Sequence, residues 1–414
     1  MYRFRWPLII SAVILALTGR TPSLVDSSGG QLPAGVRLDL SPAYIATSPI
    51  SRTLDALSLF SLPQISWFFG VIIAGTITVR LISLARSKKL GKRRVLLAAS
   101  VPMMVCALTE IAVILLPRPM AGLFVPDPDV VRVDFHSHTR ASHDANRFFS
   151  AERNRRWHAA AGFDVAYITD HVRWGGAIAA RMHNPARAGD GTSLLSGVEG
   201  HYHKVSTIML GFDASDSSKL THWGELKGDF SNKQPQWVTI AALPANLDSV
   251  ESAVEDTLQR FTGIELVDAA PRGLGQVDRQ ELRIRQIALS HHLIVVASSN
   301  NHGWGQTAAA WNLVRIAGWR DLPPDSVGRL IERLFRTGDG AAVTIVERNR
   351  TRLSGLKAPF TFPVTVIEVV GSLTLPERAA WVGWVWAIFL VYRAFHSVRG
   401  ADSEDVEDQS DAAA

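Results

Sequence analysis

Residues 131–144 read "VRVDFHSHTRASHD". Val131, Val133 and Phe135 alternate at strand spacing, and the run then fills with His136, His138, His143 and Asp144. In an extended chain side chains repeat with a period of two, so His136 and His138 point the same way. The pattern recurs downstream. "DVAYITDH" (164–171) stops at Asp170 and His171, "SLLSGVEG" (193–200) at Glu199, and "LIVVASSNNHG" (293–303) runs into Asn300 and His302. Four strand ends each deliver metal-type ligands, a coincidence hard to reach by chance.

Around these strands lie "VSTIMLGF" (205–212), "WVTIAALP" (237–244) and "GIELVD" (263–268), with helical stretches at 150–161, 248–261 and 279–291. Ser150 is placed to cap the first helix, with Glu152 in its opening turn. Helices and buried-type strands in succession predict an α/β domain built on a parallel sheet, open or closed into a barrel. Such folds gather polar groups at the carboxyl ends of their strands.

Composition sets the frame. The chain has 414 residues, 47% hydrophobic and 20% charged, with a net charge of +5, which excludes a disordered or collagenous chain. There is no Lys/Arg tract interleaved with aromatics, so no specific nucleic-acid partner is expected. The single cysteine, Cys106, lies in an apolar run, which leaves no disulfide and no thiolate metal site.

The flanks read as membrane. Val95–Leu116 is apolar apart from Glu110 and is long enough to cross a hydrocarbon core. Spans are expected at about 7–18, 57–80 and 95–116 within a membrane region of 1–118, the first being an anchor or the core of a signal peptide. A linker at 119–129 leads to a hydrolase-like domain at 130–350. A last span is expected at 375–396, with a buried amphipathic helix as the alternative, and an acidic disordered tail at 397–414. The basic loop Arg80–Arg94 and the arginines Arg3 and Arg5 belong on the cytoplasmic side. That topology predicts a multi-pass protein of the cell membrane, in contact with the lipid bilayer, with residues 19–56 and the globular domain on the extracytoplasmic side.

Two imidazoles on one face beside a carboxylate suit zinc, manganese or iron, and a carboxylate can also bridge two metals. Two metals about 3.5–4 Å apart activate water and neutralise a phosphoryl group. The ordered set "VDFHSHTRASHD", "GFDVAYITDH", "GVEG", "GIELVD" and "VVASSNNHG" resembles the PHP (polymerase and histidinol phosphatase) family over about residues 130–310. The resemblance implies a distorted seven-stranded β/α barrel, here flanked by transmembrane helices, that holds divalent metals and hydrolyses phosphoesters. It implies one metal site at His136, His138 and Glu199, with Asn300 where the family usually has Asp. A second is implied at Asp144 (or His143), His171 and His302, and Glu199 would bridge to a further metal. For that metal, His203 or His201 is available, whereas Leu243 stands where the family has a histidine before proline. One or two metals are therefore expected.

Asp170 is expected to orient His171 or a water, or else to cap its turn. Arg140 and Arg173 are placed to hold a phosphate, or are solvated surface. His158, His183, His222, His291 and His292 are expected at the surface or at helix ends. The functional expectation is a membrane-anchored, extracytoplasmic, metal-dependent phosphoesterase using a metal-activated water on a phosphorylated small molecule or other phosphoester. The alternatives are a catalytically weakened sensor or scaffold that binds a metal or anion, and hydrolysis at a carbonyl.

Overall fold

The computed structural model describes residues 4–17, 19–86, 92–202, 204–221, 224–226, 237–255 and 261–411. Twelve strands occur among them: β1 Leu24–Asp26, β2 Arg37–Leu40, β3 Ala121–Phe124, β4 Val130–Ser137, β5 Val165–Ile168, β6 Ser193–Tyr202, β7 Val205–Leu210, β8 Val238–Ala241, β9 Gly263–Asp268, β10 Ile294–Ser298, β11 Ala310–Arg315 and β12 Val343–Arg348. Ten form one sheet in the order β1-β12-β11-β4-β5-β6-β7-β8-β9-β10, and β2 pairs with β3 apart from it.

The α/β expectation meets a sheet of ten strands where seven were expected, and the sheet is mixed. The pairs β4–β5, β5–β6, β8–β9 and β9–β10 are parallel. Strand β7 runs antiparallel to both β6 and β8. The reason is chain length: Tyr202 is paired with Val205, so the connection is a tight hairpin with no room for a crossover helix.

The sheet curls. One buried apolar cluster draws Val133 and Phe135 of β4, Tyr167 of β5, Ile208 of β7, Ile240 of β8 and Val296 of β10 together. A flat sheet could not bring strands so far apart in its order to one core. Helix Pro324–Thr337 adds Val327, Ile331 and Phe335 to that cluster, and the Phe335 ring meets Phe135 at 5.2 Å. At the carboxyl rim the curl brings the end of β10 back to β4. The Asn300 amide donates to the His136 carbonyl (2.9 Å) and the His138 amide to the Asn301 carbonyl (2.9 Å). Helix Ala151–Ala160 starts as expected, with Ser150 Oγ accepting from the Arg153 amide.

Several expected boundaries shift. The stretch 119–129, expected as a linker, contains β3, and β1 from the N-terminal region extends the main sheet beyond β12. The apolar run expected to cross at 57–80 begins instead as helix Leu62–Arg86, after the separate helix Ser48–Ser58. Pro63 and Gln64 set that start: proline suits a first helical turn, and Gln64 Oε1 accepts from the Ser61 amide at 2.9 Å. Among the described residues, Leu62–Ser83 is the helix long and apolar enough to cross a membrane. Arg5–Ala16 and Ser100–Leu115 are shorter, and Gly355–Ser372 with Leu375–Phe395 qualify together as a pair bent by 117°. The tail expected to be disordered continues helix Leu375–Asp411.

A buried polar knot ties the N-terminal region to the sheet. Asp55 accepts from Tyr44 Oη (2.8 Å), Arg118 Nε (3.2 Å), Thr307 Oγ1 (2.8 Å) and Arg348 Nη1 (3.0 Å). Residues 19–61 and the curled sheet are therefore one packed body.

Candidate metal centre

Backbone bonds lace adjacent strand ends and fix where their side chains emerge. The Thr169 amide donates to the Ser137 carbonyl (2.8 Å), the Glu199 amide to the Thr169 carbonyl (3.1 Å), and the Val172 amide to the Glu199 carbonyl (3.1 Å). With the β10–β4 closure, this holds the ends of β4, β5, β6 and β10 around one pocket. The β4–β5 register shifts between Asp134 and Ser137, an irregularity of the kind that re-aims side chains beside active sites.

The convergence is tight. Glu199 Oε2 lies 3.1 Å from His136 Nε2, 3.4 Å from His138 Nε2 and 3.3 Å from His171 Nδ1. His136 Nε2 and His138 Nε2 face each other at 2.9 Å. Asp144 Oδ2 joins His171 Nε2 (3.3 Å) to His302 Nε2 (3.1 Å), and the His138 and His302 rings stack at 4.0 Å. Two overlapping donor groups result: His136, His138 and Glu199, all buried, and His138, His171 and His302.

The far sides of the rings determine which nitrogens are available. His136 Nδ1 meets Glu265 Oε1 at 2.9 Å, and His302 Nδ1 meets the Asn300 carbonyl at 2.9 Å. His138 Nδ1 meets Ser142 Oγ at 2.9 Å. Ser142 has one proton, which goes to Asp170 Oδ1 (3.2 Å), while Ser142 Oγ accepts from the His171 amide (3.0 Å). His138 Nδ1 must then be the donor to Ser142. When neutral, all three rings are thus set with N–H at Nδ1 and the Nε2 lone pair turned inward, the arrangement that outer partners impose on metal-binding histidines.

Charge in the pocket is strongly perturbed. Burial alone would push His136 down, but Glu199 and Glu265 on either side carry it well above its usual range. Burial and the neighbouring charges of His136 and His302 push His138 well below its own. Glu199 is held far below the usual carboxylate range by His136, His138 and His171, against the effect of burial. Burial lifts Asp170 to about 6 despite hydrogen bonds from Thr139 and Ser142.

These residues fit a divalent cation. A proton shared between His136 and His138 satisfies one pair of atoms, whereas a cation is ligated by the whole set. Tetrahedral zinc with bonds of about 2.1 Å puts neighbouring ligands about 3.4 Å apart, and the Glu199–His138 and Glu199–His171 separations match that spacing. Asn300 adds an independent sign. Its Nδ2 donates to Asp268 Oδ2 (3.2 Å), but its Oδ1 is buried without a hydrogen-bond partner. Its backbone stands at φ 42°, a left-handed conformation that asparagine tolerates and that clusters at functional sites.

The residues named from sequence divide clearly. His136, His138, Asp144, His171, Glu199 and His302 come together, and Asn300 lies at their edge. At the 143–144 alternative the Asp144 carboxylate reaches His171 and His302, while the His143 ring lies beside His171 at 5.2 Å. Asp170 stands behind Ser142 and receives the Thr139 amide (2.6 Å) and hydroxyl (2.8 Å), an orienting and turn-fixing position rather than one facing substrate. Arg140 and Arg173 are exposed, and Arg140 bonds through its amide to Phe149. His201 is exposed, and His203 and His222 lie outside the described residues. His158, expected at a surface or helix end, is fully buried, with its ring nitrogens against Asp134 Oδ2 (2.8 Å) and the Asn154 carbonyl (2.9 Å). Leu243 is buried in an apolar cluster.

Sequence reasoning missed the supporting residues. Glu265 is fully buried and spans His136 and the Leu243 amide (2.7 Å). Its signal was available: an acid in the middle of "GIELVD", a strand otherwise of buried type, needs a partner. Ser142, and Ser206, which donates to Glu199 Oε1, carried no such signal.

No family model matches the chain, and no curated protein does. Solved structures do. The chain is similar to PsfC from Pseudomonas syringae, at 11% identity and a TM-score of 0.35, over 58% of this chain and 98% of that one. It is similar to the lesion-specific endonuclease Q of Pyrococcus furiosus, at 12% identity and a TM-score of 0.35, over 50% of this chain and 56% of that one. A third likeness is to a protein described as a metal-dependent phosphoesterase from Bifidobacterium adolescentis, at 17% identity and a TM-score of 0.31, over 49% and 96%. These likenesses are distant, and the chemistry of the pocket is read from its own geometry.

Proposed function

We propose that the chain is a membrane-anchored, metal-dependent phosphoesterase whose catalytic pocket lies on the extracytoplasmic side. The observation that carries this reading is the convergence of three ring nitrogens within 3.4 Å of Glu199 Oε2. His136, His138 and Glu199 would hold one divalent cation, with Asn300 Oδ1 beside it. Asp144, His171 and His302 would hold a second, with His138 and Glu199 between the two groups. Such cations lower the pKa of water to near neutrality and offset charge on phosphoryl oxygens.

The chain's own residues have distinct tasks. Glu265, Ser142 and the Asn300 carbonyl fix the tautomers. The Asp170–Ser142 pair holds the His138 ring in place. In the reaction a water oxygen bonds to phosphorus as the ester P–O bond breaks, and the alcohol leaves with a proton.

Packing supports the topology. Residues 19–61 and the curled sheet form one body and so share a side of the membrane. Helices Leu62–Arg86 and Lys92–Leu115 lie between them in the chain and pack together, as an out-and-back pair of spans would. Arg5–Ala16 packs on the C-terminal helix, where the Phe4 and Phe389 rings meet at 5.3 Å. The basic loop between the central helices belongs in the cytoplasm, which leaves the pocket outside.

The test uses the full chain in detergent, stripped by chelation and assayed on an aryl phosphate with and without manganese or zinc. Metal-restored turnover, lost in the His136→Ala, His138→Ala double variant, is the expected result, and full activity of that variant refutes the reading. For topology, a cysteine placed at Ser217 should react in intact cells with a membrane-impermeant maleimide, and one at Lys88 should not.

One observation favours a second reading, a metal- or anion-binding sensor. Leu243 places a buried aliphatic side chain where the family resemblance implies a histidine. Stoichiometric bound metal with no turnover across a panel of phosphoesters would select it.

A further inference from the structure

The cavity beside the metal centre extends to residues of the membrane region. It measures about 660 Å³, within the range of small-molecule sites. One end is formed by Asp144, Asn300 and His302 of the metal centre. Membrane-region residues also line it: Leu57, Leu59, Ile65, Val113 and Ile114, with the carboxylate of Glu110 among them. The metal centre and the apolar helices thus share one continuous space.

Three features bear on what fills it. No lysine or arginine is among the described residues that line it, and Glu110 is, so beyond one phosphoryl group at the metals the cavity offers no basic contact for the further anionic groups of a nucleotide. The membrane-region helices that line it carry exposed apolar side chains on their outer faces, including Trp67, Val71, Met104 and Leu108, which a bilayer would cover. Trp304, two residues past His302, lines the cavity and is half exposed, as interface tryptophans are.

We propose that the substrate is an amphiphile drawn from the bilayer, a phosphate ester of a lipid. Its phosphoryl group reaches the metal centre while its hydrocarbon chain lies along Leu57, Ile65, Val113 and Ile114. This inference rests on the phosphoesterase reading and narrows it to a substrate class.

The test is equilibrium binding of methyl-, butyl- and hexylphosphonate to the full chain in detergent, loaded with manganese. Burying a methylene is worth about 0.8 kcal/mol, or about fourfold in affinity. The dissociation constant should therefore fall at least tenfold from methyl to butyl, and Ile65→Asp should flatten that dependence. A second arm reconstitutes the protein into vesicles containing phosphatidate. Inorganic phosphate should be released at least tenfold faster from phosphatidate than from glycerol 3-phosphate. Equal affinity for all three phosphonates, or equal release from the two esters, overturns the lipid inference and leaves the phosphoesterase reading standing. Failure to bind any phosphonate, with no hydrolysis of any phosphoester, overturns both.

Discussion

Glu265→Gln tests the centre through a residue that touches no substrate. Glu265 accepts from His136 Nδ1 at 2.9 Å with one oxygen and from the Leu243 amide at 2.7 Å with the other, in full burial. Glutamine keeps the shape but has a single acceptor. If its carbonyl takes the His136 proton, its NH₂ is forced against the Leu243 N–H, leaving buried donors unpaired at about 1–3 kcal/mol. If it turns over, its NH₂ donates to His136 Nδ1, the ring proton moves to Nε2, and the lone pair facing Glu199 is lost. Either outcome weakens the site. Partners of metal-bound histidines are worth about 10–100-fold in metal affinity, or about 1.4–2.7 kcal/mol. Competition against a chromogenic chelator measures this directly. Glu265→Asp, which retains the charge, should recover part of the loss. An unchanged manganese affinity in folded Glu265→Gln would refute the claim that Glu265 sets the His136 tautomer.

Gly176→Ala should lower stability by about 1–3 kcal/mol, the usual cost of overpacking, read as a drop in melting temperature. Its Cβ would stand 2.0 Å from Asp170 Oδ2 and 2.2 Å from Thr139 Oγ1, two buried groups hydrogen-bonded to each other at 2.8 Å. Asp55→Ala should cost about 3–5 kcal/mol by leaving buried Arg118 and Arg348 without their carboxylate, and it should open residues 19–61 to trypsin. Manganese at about one hundred times its dissociation constant should stabilise the protein by about 2.7 kcal/mol in thermal melts. EDTA should reverse that gain, and the His136→Ala, His138→Ala variant should not show it.

How much the sequence disclosed depends on physical range. The strand-end donors were legible because period-two alternation and abrupt polarity changes are local signals, and they located His136, His138, His171, Glu199 and His302, which do converge; Asp144 came only with the family resemblance, His143 being its alternative. The helix start at Ser150 was equally local. The reversal of β7 was harder to see, since strand direction depends on the length of a connection rather than on the residues in it. The added strands β1, β11 and β12 pair across long separations, as Leu24 does with Arg348, and no short window reports that. Burial of His158 escaped notice for the same reason, because Asp134, its partner, lies on a different element. Pro63 and Gln64 fall inside the apolar run expected to cross at 57–80, yet they form the first turn of the helix that begins there.

The short strand β1 has a practical corollary for anyone wishing to isolate the pocket-bearing domain by itself. A fragment starting near residue 119 would lack β1, exposing the outer edge of β12 to pairing with other chains. It would also strand the guanidinium of Arg348 without its counter-ion. Such a product should clump or melt early however well its candidate metal ligands are preserved. On the proposed reading, anchor and enzyme are then inherited together, since the N-terminal region that would tether the pocket to the bilayer also finishes its sheet.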